Sequence, residues 1–117
     1  MDGPHLWAIG VDTDQYFVGG INEAAWQEHI LTSMLKRIDV AVFETLEDEA
    51  EDTFTPGSKV FDLASGGVEL SYSGGYIEPY RSQLEDLRDM IVAGDIEVPC
   101  VPASRAAQAA ELGLTGC

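Results

Sequence analysis

Apolar positions along the chain fall into short runs broken by glycine, proline and acidic residues. Leu6-Trp7-Ala8-Ile9-Gly10-Val11 is a continuous apolar run. It predicts a strand covered on both faces, as in a parallel sheet, and it ends abruptly in Asp12-Thr13-Asp14-Gln15. After Gly19-Gly20, the segment from Asn22 to His29 predicts one or two helical turns with Asn22 as cap. The clearest periodic signal comes next. Leu31, Met34, Leu35, Ile38, Ala41, Val42, Thr45 and Leu46 recur at three- and four-residue steps, which predicts a helix capped by Thr32 or Ser33. Its polar side carries Lys36, Arg37 and Asp39. It runs into Glu44, Glu47, Asp48, Glu49, Glu51 and Asp52, a stretch that reads as solvated charged surface.

Thr55-Pro56-Gly57 interrupts the pattern. Val60-Phe61-Asp62-Leu63 reads as a short strand, and beyond the Ser65-Gly66-Gly67 turn Val68, Leu70 and Tyr72 alternate with polar residues like a half-buried strand. Pro79 opens a second helix with a buried stripe of Tyr80, Leu84, Leu87 and Ile91, stopped by Gly94. Ile96-Glu97-Val98-Pro99 is a last predicted strand, and Ser104 to Leu112 an Ala-rich helix stopped by Gly113. The order β, α, β, β, α, β defines an α/β layered domain. Two substantial helices are too few to cover a parallel sheet on both faces, so covering elements are expected from elsewhere.

Composition narrows the function classes. Six Lys+Arg against twenty-one Asp+Glu in 117 residues leave a formal charge of −15. Such a chain repels phosphate backbones, so no nucleic-acid partner is expected. With 45% hydrophobic and 9% aromatic residues a packed core is affordable and disorder is not expected. No apolar run approaches the roughly 18 residues of a membrane helix. Met1 to His5 lacks the basic and apolar regions of a secretory signal. Cys100 and Cys117 lack the spacing of a redox or zinc motif; a pair closing the tail and two free thiols are both open.

Asp12 is the first candidate for chemistry, because open α/β sheets bind ligands beyond the carboxyl ends of their strands. A carboxylate there can accept hydrogen bonds from two hydroxyls of a sugar diol, or serve as a turn aspartate capping its own loop. Asp12 and Asp14 form a DxD, the pairing that holds a divalent metal in some sugar-transferring enzymes. Lys36 can pair with Asp12 or Asp14, donate to a ligand hydroxyl, or simply be solvated. Trp7, Tyr16, Phe17 and Trp26 can flank a sugar or purine, or fill the core, the latter above all for Trp7. His5 and His29 have no nucleophilic partner in a triad arrangement, and the glycine pairs lack phosphate-loop spacing; no cofactor is expected.

Two blocks carry a resemblance: Ala8-Ile9-Gly10-Val11-Asp12-Thr13-Asp14-Gln15 and Ile30-Leu31-Thr32-Ser33-Met34-Leu35-Lys36-Arg37-Ile38-Asp39-Val40-Ala41-Val42-Phe43. With Gly66 to Leu70 and Leu87 to Pro99, they resemble the basic membrane protein family, the substrate-binding lipoproteins of ABC transporters, of the purine nucleoside receptor type. The resemblance implies a partial C-terminal lobe of a type I periplasmic-binding-protein fold, a mostly parallel sheet with flanking helices, over residues 1–99. Residues 100–117 are then a tail.

It further implies a solute-binding component of an ABC importer, not an enzyme, that closes two lobes on a purine nucleoside or related sugar. Asp12, with Asp14 as the alternative, and Lys36 look like the ribose contacts. Its partners would be an ABC permease and a missing N-terminal lobe. The full-length family is lipid-anchored outside the cytoplasm. The stretch Tyr16 to His29 is longer than the family's usual link. As a fragment the chain is expected to bind weakly and to self-associate through its exposed inter-lobe surface. Two other readings are a metal-dependent sugar-transferring enzyme fragment using Asp12 and Asp14, and a cytoplasmic regulatory module that reuses the receptor fold.

Overall fold

A computed structural model describes residues 4–18, 23–99, 101 and 105–111. The chain divides into two compact units, Met1–Leu84 and Glu85–Cys117. The predicted cap Asn22, the Gly19-Gly20 break, Ser104, Gly113, Cys100 and Cys117 lie outside the described residues.

The first unit is built on a three-stranded mixed sheet, so the α/β class expected from the sequence is what the chain adopts. Strand β1 (Ala8–Asp12) pairs in parallel with β2 (Ile30–Lys36), and β2 pairs antiparallel with β3 (Val68–Leu70), giving the order β1-β2-β3. The connection from β1 to β2 contains the short helix α1 (Glu23–Gln27). Helix α2 (Ile38–Ala50) follows β2 after a single residue, Arg37, whose N–H extends the ladder to the Gly67 carbonyl at 2.9 Å. A 3-10 turn (Glu78–Tyr80) leads into α3 (Arg81–Ala93), within which the first unit ends. The second unit holds the remainder of α3 and α4 (Ala106–Glu111).

The largest departure from the sequence pattern is at Ile30–Lys36. Leu31, Met34 and Leu35 are not part of a helix, and Thr32 and Ser33 are not its caps. The segment is the central strand, and the helix begins only at Ile38. Backbone pairing on both sides decides this. A helix over these residues would abandon the ladders to β1 and β3 together, a tertiary demand larger than a weak local preference. The two residues suited to capping do hydrogen-bond, but across the sheet. The buried Thr32 hydroxyl donates to the Ser71 carbonyl at 2.7 Å, and the fully buried Ser33 hydroxyl accepts the Gln15 N–H at 3.0 Å.

Two predicted strands are absent. Val60 to Leu63 runs into a turn because the Asp62 carboxylate accepts the N–H groups of Ala64 (2.9 Å) and Ser65 (3.0 Å), a local alternative to a ladder. Ile96 instead folds back on the end of α3, its N–H reaching the Met90 carbonyl at 3.2 Å beside the left-handed Gly94 (φ 82°). Residues 97–99 are not a strand. Pro79 does open the helical region, through the 3-10 turn, but the expected buried stripe of α3 is not buried. Tyr80 and Leu87 are exposed and Leu84 and Ile91 half-buried. An amphipathic stripe marks the side a helix can cover, and does not itself supply the cover.

The apolar core among the described residues is small. Ile30 and Ile77 are its buried hydrophobic side chains, joined by the buried polar Thr32, Ser33 and Ser71. Strand β1, expected to be covered on both faces, is an edge strand with Ile9 63% and Val11 52% exposed. Helix α2 buries no residue, and Ile38, Val42, Phe43 and Leu46 stand exposed.

Helix α2 ends in a left-handed residue: Asp52 has φ 57°, and the N–H groups of Thr53 and Phe54 both reach back to the Asp48 carbonyl. Glycine suits that position better than any side-chain-bearing residue. Asp52→Gly is therefore expected to raise the unfolding free energy by about 0.5–1 kcal/mol, read from urea denaturation. Gly67→Ala should do the opposite, because a Cβ there would collide with Phe61, within 2.7 Å of its backbone carbonyl carbon.

Candidate functional site

Strands β1 and β2 run in parallel, so their carboxyl ends lie side by side; Asp12 pairs with Leu35 in register, one residue before Lys36. The Lys36 ammonium sits 2.8 Å from Asp12 Oδ1, with both side chains about three-fifths exposed (60% and 61%). Such an open pair contributes only about 0.2–1 kcal/mol. It leaves a charged donor and a charged acceptor at the sheet edge, each with free hydrogen-bonding capacity. Asp12 also has a left-handed backbone, φ 74°, which side-chain-bearing residues adopt rarely and at some cost.

Beside this pair Arg37 bridges two carboxylates. Its guanidinium contacts Glu69 on β3 and reaches both oxygens of Asp39 in the first turn of α2, at 2.7 Å for the closest. The hydrogen bonds to Asp39 and then Glu69 raise the guanidinium's proton affinity, and Arg37 in turn holds the Asp39 carboxyl below its usual range. The end of β2 thus carries two cations, Lys36 held by one carboxylate and Arg37 by two.

Asp14 has other partners. After Asp12 the chain folds back over the sheet, and the Gln15 N–H reaches Ser33 in the middle of β2. The bare backbone of Gly10 makes this possible: a Cβ there would collide with the Gln15 side chain and with Ser33 Oγ. Asp14 consequently meets the turn after β3. Its Oδ2 accepts hydrogen bonds from the Ser71 hydroxyl (2.7 Å) and the Ser73 hydroxyl (2.6 Å), and its Oδ1 accepts the Tyr16 N–H (3.1 Å). Burial disfavours the charge, but the donors from Ser73, Ser71 and Tyr16 outweigh it and hold the carboxyl below its ordinary value of 3.8.

The structure brings Asp12 together with Lys36, while Asp14 is bonded to Ser71, Ser73 and Tyr16, so the two carboxylates of the DxD have different partners. Among the described residues no group of three or more His, Cys, Asp and Glu is placed to hold a metal ion. Nor is any helix there long and apolar enough to cross a membrane.

The aromatic residues make two sets of ring contacts, with Tyr16 and Tyr76 both flanking Gly74. Tyr16 and Phe17 meet edge to face at 5.2 Å, and α1 ties the same loop down through Trp26 Nε1–H to the Gln15 carbonyl (3.3 Å) and the Gln27 amide to the Tyr16 carbonyl (3.0 Å). Trp7 does not fill a core. It is 47% exposed and lies against His5 and Tyr76, while His5 stacks on His29 at 4.7 Å. His29 Nδ1 is 2.9 Å from the Leu6 carbonyl and so carries the hydrogen. Sequence reasoning missed this ring cluster and the serines that hold Asp14. Each depends on residues more than twenty positions apart, with no short-range signal.

No family model matches the chain. Over 101 residues it is 33% identical to a CD4+ T-cell-stimulating antigen of Listeria monocytogenes serovar 1/2a, a match covering 83% of this chain and 28% of that protein. The protein of the same name from Listeria innocua serovar 6a matches to the same extent. The ABC transporter nucleoside-binding protein BmpA of Lactococcus lactis subsp. cremoris is 28% identical over 98 residues, 80% of this chain and 27% of that protein. The chain spans under a third of the length of these curated relatives. It is thus a distant, partial relative of a protein named for binding a nucleoside, a name that points to a binding protein and not to an enzyme.

Two outcomes follow from the site geometry. Asp12→Gly should be more stable than Asp12→Ala by about 1 kcal/mol in urea denaturation, because both lose the ion pair but only glycine adopts the left-handed backbone without cost. For Asp14 the folded carboxyl lies below its unfolded value. Its contribution is therefore present above the ordinary carboxylate range and lost as the pH falls through the folded value. The stability difference between the native chain and Asp14→Asn should accordingly be constant near neutrality and shrink below pH 3.8, measured by urea denaturation across pH.

Proposed function

We propose that this chain is part of a solute-binding protein of an ABC transporter, of the basic membrane protein family, and that it takes a purine nucleoside by its ribose. The open Asp12–Lys36 pair at the carboxyl ends of two adjacent parallel strands carries the reading. Two neighbouring ribose hydroxyls can both donate to the Asp12 carboxylate, while the Lys36 ammonium donates to one of their oxygens and offsets the charge. A nucleoside bears no phosphate, so the overall charge of −15 does not repel it. The similarity to BmpA supports the same ligand class.

In this reading the chain supplies one wall of a cleft. The second wall comes from the polypeptide that makes up the rest of the longer relatives, and ligand stabilises the closed arrangement by touching both. A permease partner and a position outside the cytoplasm belong to the same proposal. Asp12 and Lys36 alone enclose no ligand, so affinity for the chain by itself is low.

Titrating the 117-residue chain with inosine, ribose and hypoxanthine, followed by amide chemical shifts, tests this. Inosine and ribose are expected to shift Asp12 and Lys36 in the millimolar range, with Asp12→Asn abolishing the response and hypoxanthine giving none. Equal shifts from the base alone, or shifts that bypass Asp12 and Lys36, would sink the ribose grip. Micromolar affinity for inosine by calorimetry would contradict the shared cleft.

A further inference from the structure

Asp14 differs from Asp12 in every respect that matters for contacting a ligand. Three protein donors occupy its two oxygens, two hydroxyls on Oδ2 and one N–H on Oδ1. Ser71, which supplies one of them, is 5% exposed and fixed by β2, its N–H on the Ser33 carbonyl at 2.8 Å and its carbonyl under the Thr32 hydroxyl. Ser73 is fixed in turn, its N–H on Ser71 Oγ at 3.1 Å. Asp14 thus grips a rigid support at one end, while two residues away Asp12 holds a left-handed backbone at the strand end.

From this we infer that Asp14 is a positioning residue: its carboxylate clips residues 13–18 to the turn after β3, which fixes the backbone of Asp12 and leaves ligand contact at the strand ends to Asp12 without Asp14. The last clause rests on the proposed ribose grip; the clip itself does not. Two charge-assisted hydroxyl bonds to a support anchored in the sheet are stronger than the local Asx-type bond to Tyr16, so the long-range contacts carry the positioning. The loop has other ties, from the Gln15 N–H to Ser33 Oγ, from the Gln15 amide to the Val11 carbonyl and the Thr13 hydroxyl, and from Trp26 and Gln27 to the Gln15 and Tyr16 carbonyls, but none of these bonds reaches the turn after β3.

The test uses the full chain without ligand. The coupling of the Asp12 Hα to the Val11 carbonyl carbon, large at positive φ and small at negative φ, reports the Asp12 backbone, and amide exchange reports protection of residues 15–18. Asp14→Ala and the milder Ser73→Ala are expected to move the Asp12 coupling toward an averaged value. Loop protection should fall about tenfold in Asp14→Ala, with amides 32–35 unchanged. Asp14→Asn should restore part of it, because its carbonyl oxygen can still accept the Tyr16 N–H and the serine hydroxyls can turn to accept. Asp62→Ala, which removes a turn carboxylate held by its own loop, is the control and should leave Asp12 unmoved. An unchanged Asp12 coupling in both Asp14→Ala and Ser73→Ala, or an equal change in Asp62→Ala, would overturn the clip. A separate inosine titration then addresses the ligand clause. Asp14→Ala should weaken the response where Asp12→Asn removes it, and direct loss in Asp14→Asn equal to that in Asp12→Asn would assign Asp14 to the ligand. Absence of any inosine response in the native chain would count against the ribose grip and leave the coupling result standing.

Discussion

The fully buried Ser33 sits at the crossing of everything that holds the first unit together. Its backbone pairs with β1, its carbonyl takes the Ser71 N–H, and its hydroxyl takes the Gln15 N–H from the loop that follows β1. Next to it Thr32 bonds the Ser71 carbonyl. The centre of this sheet is therefore organised by directional polar bonds between small side chains, where a larger domain would rely on hydrocarbon packing. Such a network is stable only when each member is satisfied, and among the described residues no buried side-chain nitrogen or oxygen lacks a partner. The arrangement specifies geometry more sharply than it contributes stability, since a net hydrogen bond adds only about 0.5–1.5 kcal/mol.

That constraint accounts for what the sequence could and could not show. Strand β1 is legible because an apolar run ending in Asp12 has few other uses, and the later part of α2 is legible from Ile38, Ala41, Val42, Thr45 and Leu46. The central strand is not, because Leu31, Met34 and Leu35 satisfy a helical spacing and a strand equally well, and hydroxyl residues in its middle imitate a cap. What distinguishes the two is pairing with Gly10 and Leu70, residues far away in sequence. Of the candidate site, the meeting of Asp12 with Lys36 could be anticipated as one of two pairings open to Lys36, although the sequence pattern places Lys36 on a helix and not at the end of a strand. The fate of Asp14 could not, because Ser71 and Ser73 lie more than fifty positions on.

Their different partners give the two aspartates opposite characters. One carboxylate is exposed and matched to a flexible cation; the other is embedded among neutral donors. Electrostatically the first is labile, since a surface pair in water exchanges partners at little cost, and the second is fixed. The exposed faces of β1 and α2 fit the same frame. Apolar side chains such as Ile9, Val42 and Leu46 stand where a layered α/β fold places further strands and helices.

The short run from Gly10 to Asp12 has a consequence for how such a sequence can change over time. Gly10 must lack a side chain so that Gln15 can fold over it, and Asp12 must accept a left-handed turn. Because strand residues alternate between faces, deleting Gly10 would put the Val11 side chain into the slot it leaves open, and gaining or losing one residue would send the following carboxylate to the wrong face. Point substitutions at the exposed Ile9 and Val11 are therefore tolerated better than any side chain at Gly10 or any change of length. The segment after α2, tied back to that helix by the surface ion pairs of Lys59 with Glu44 and Asp48, has the reverse freedom.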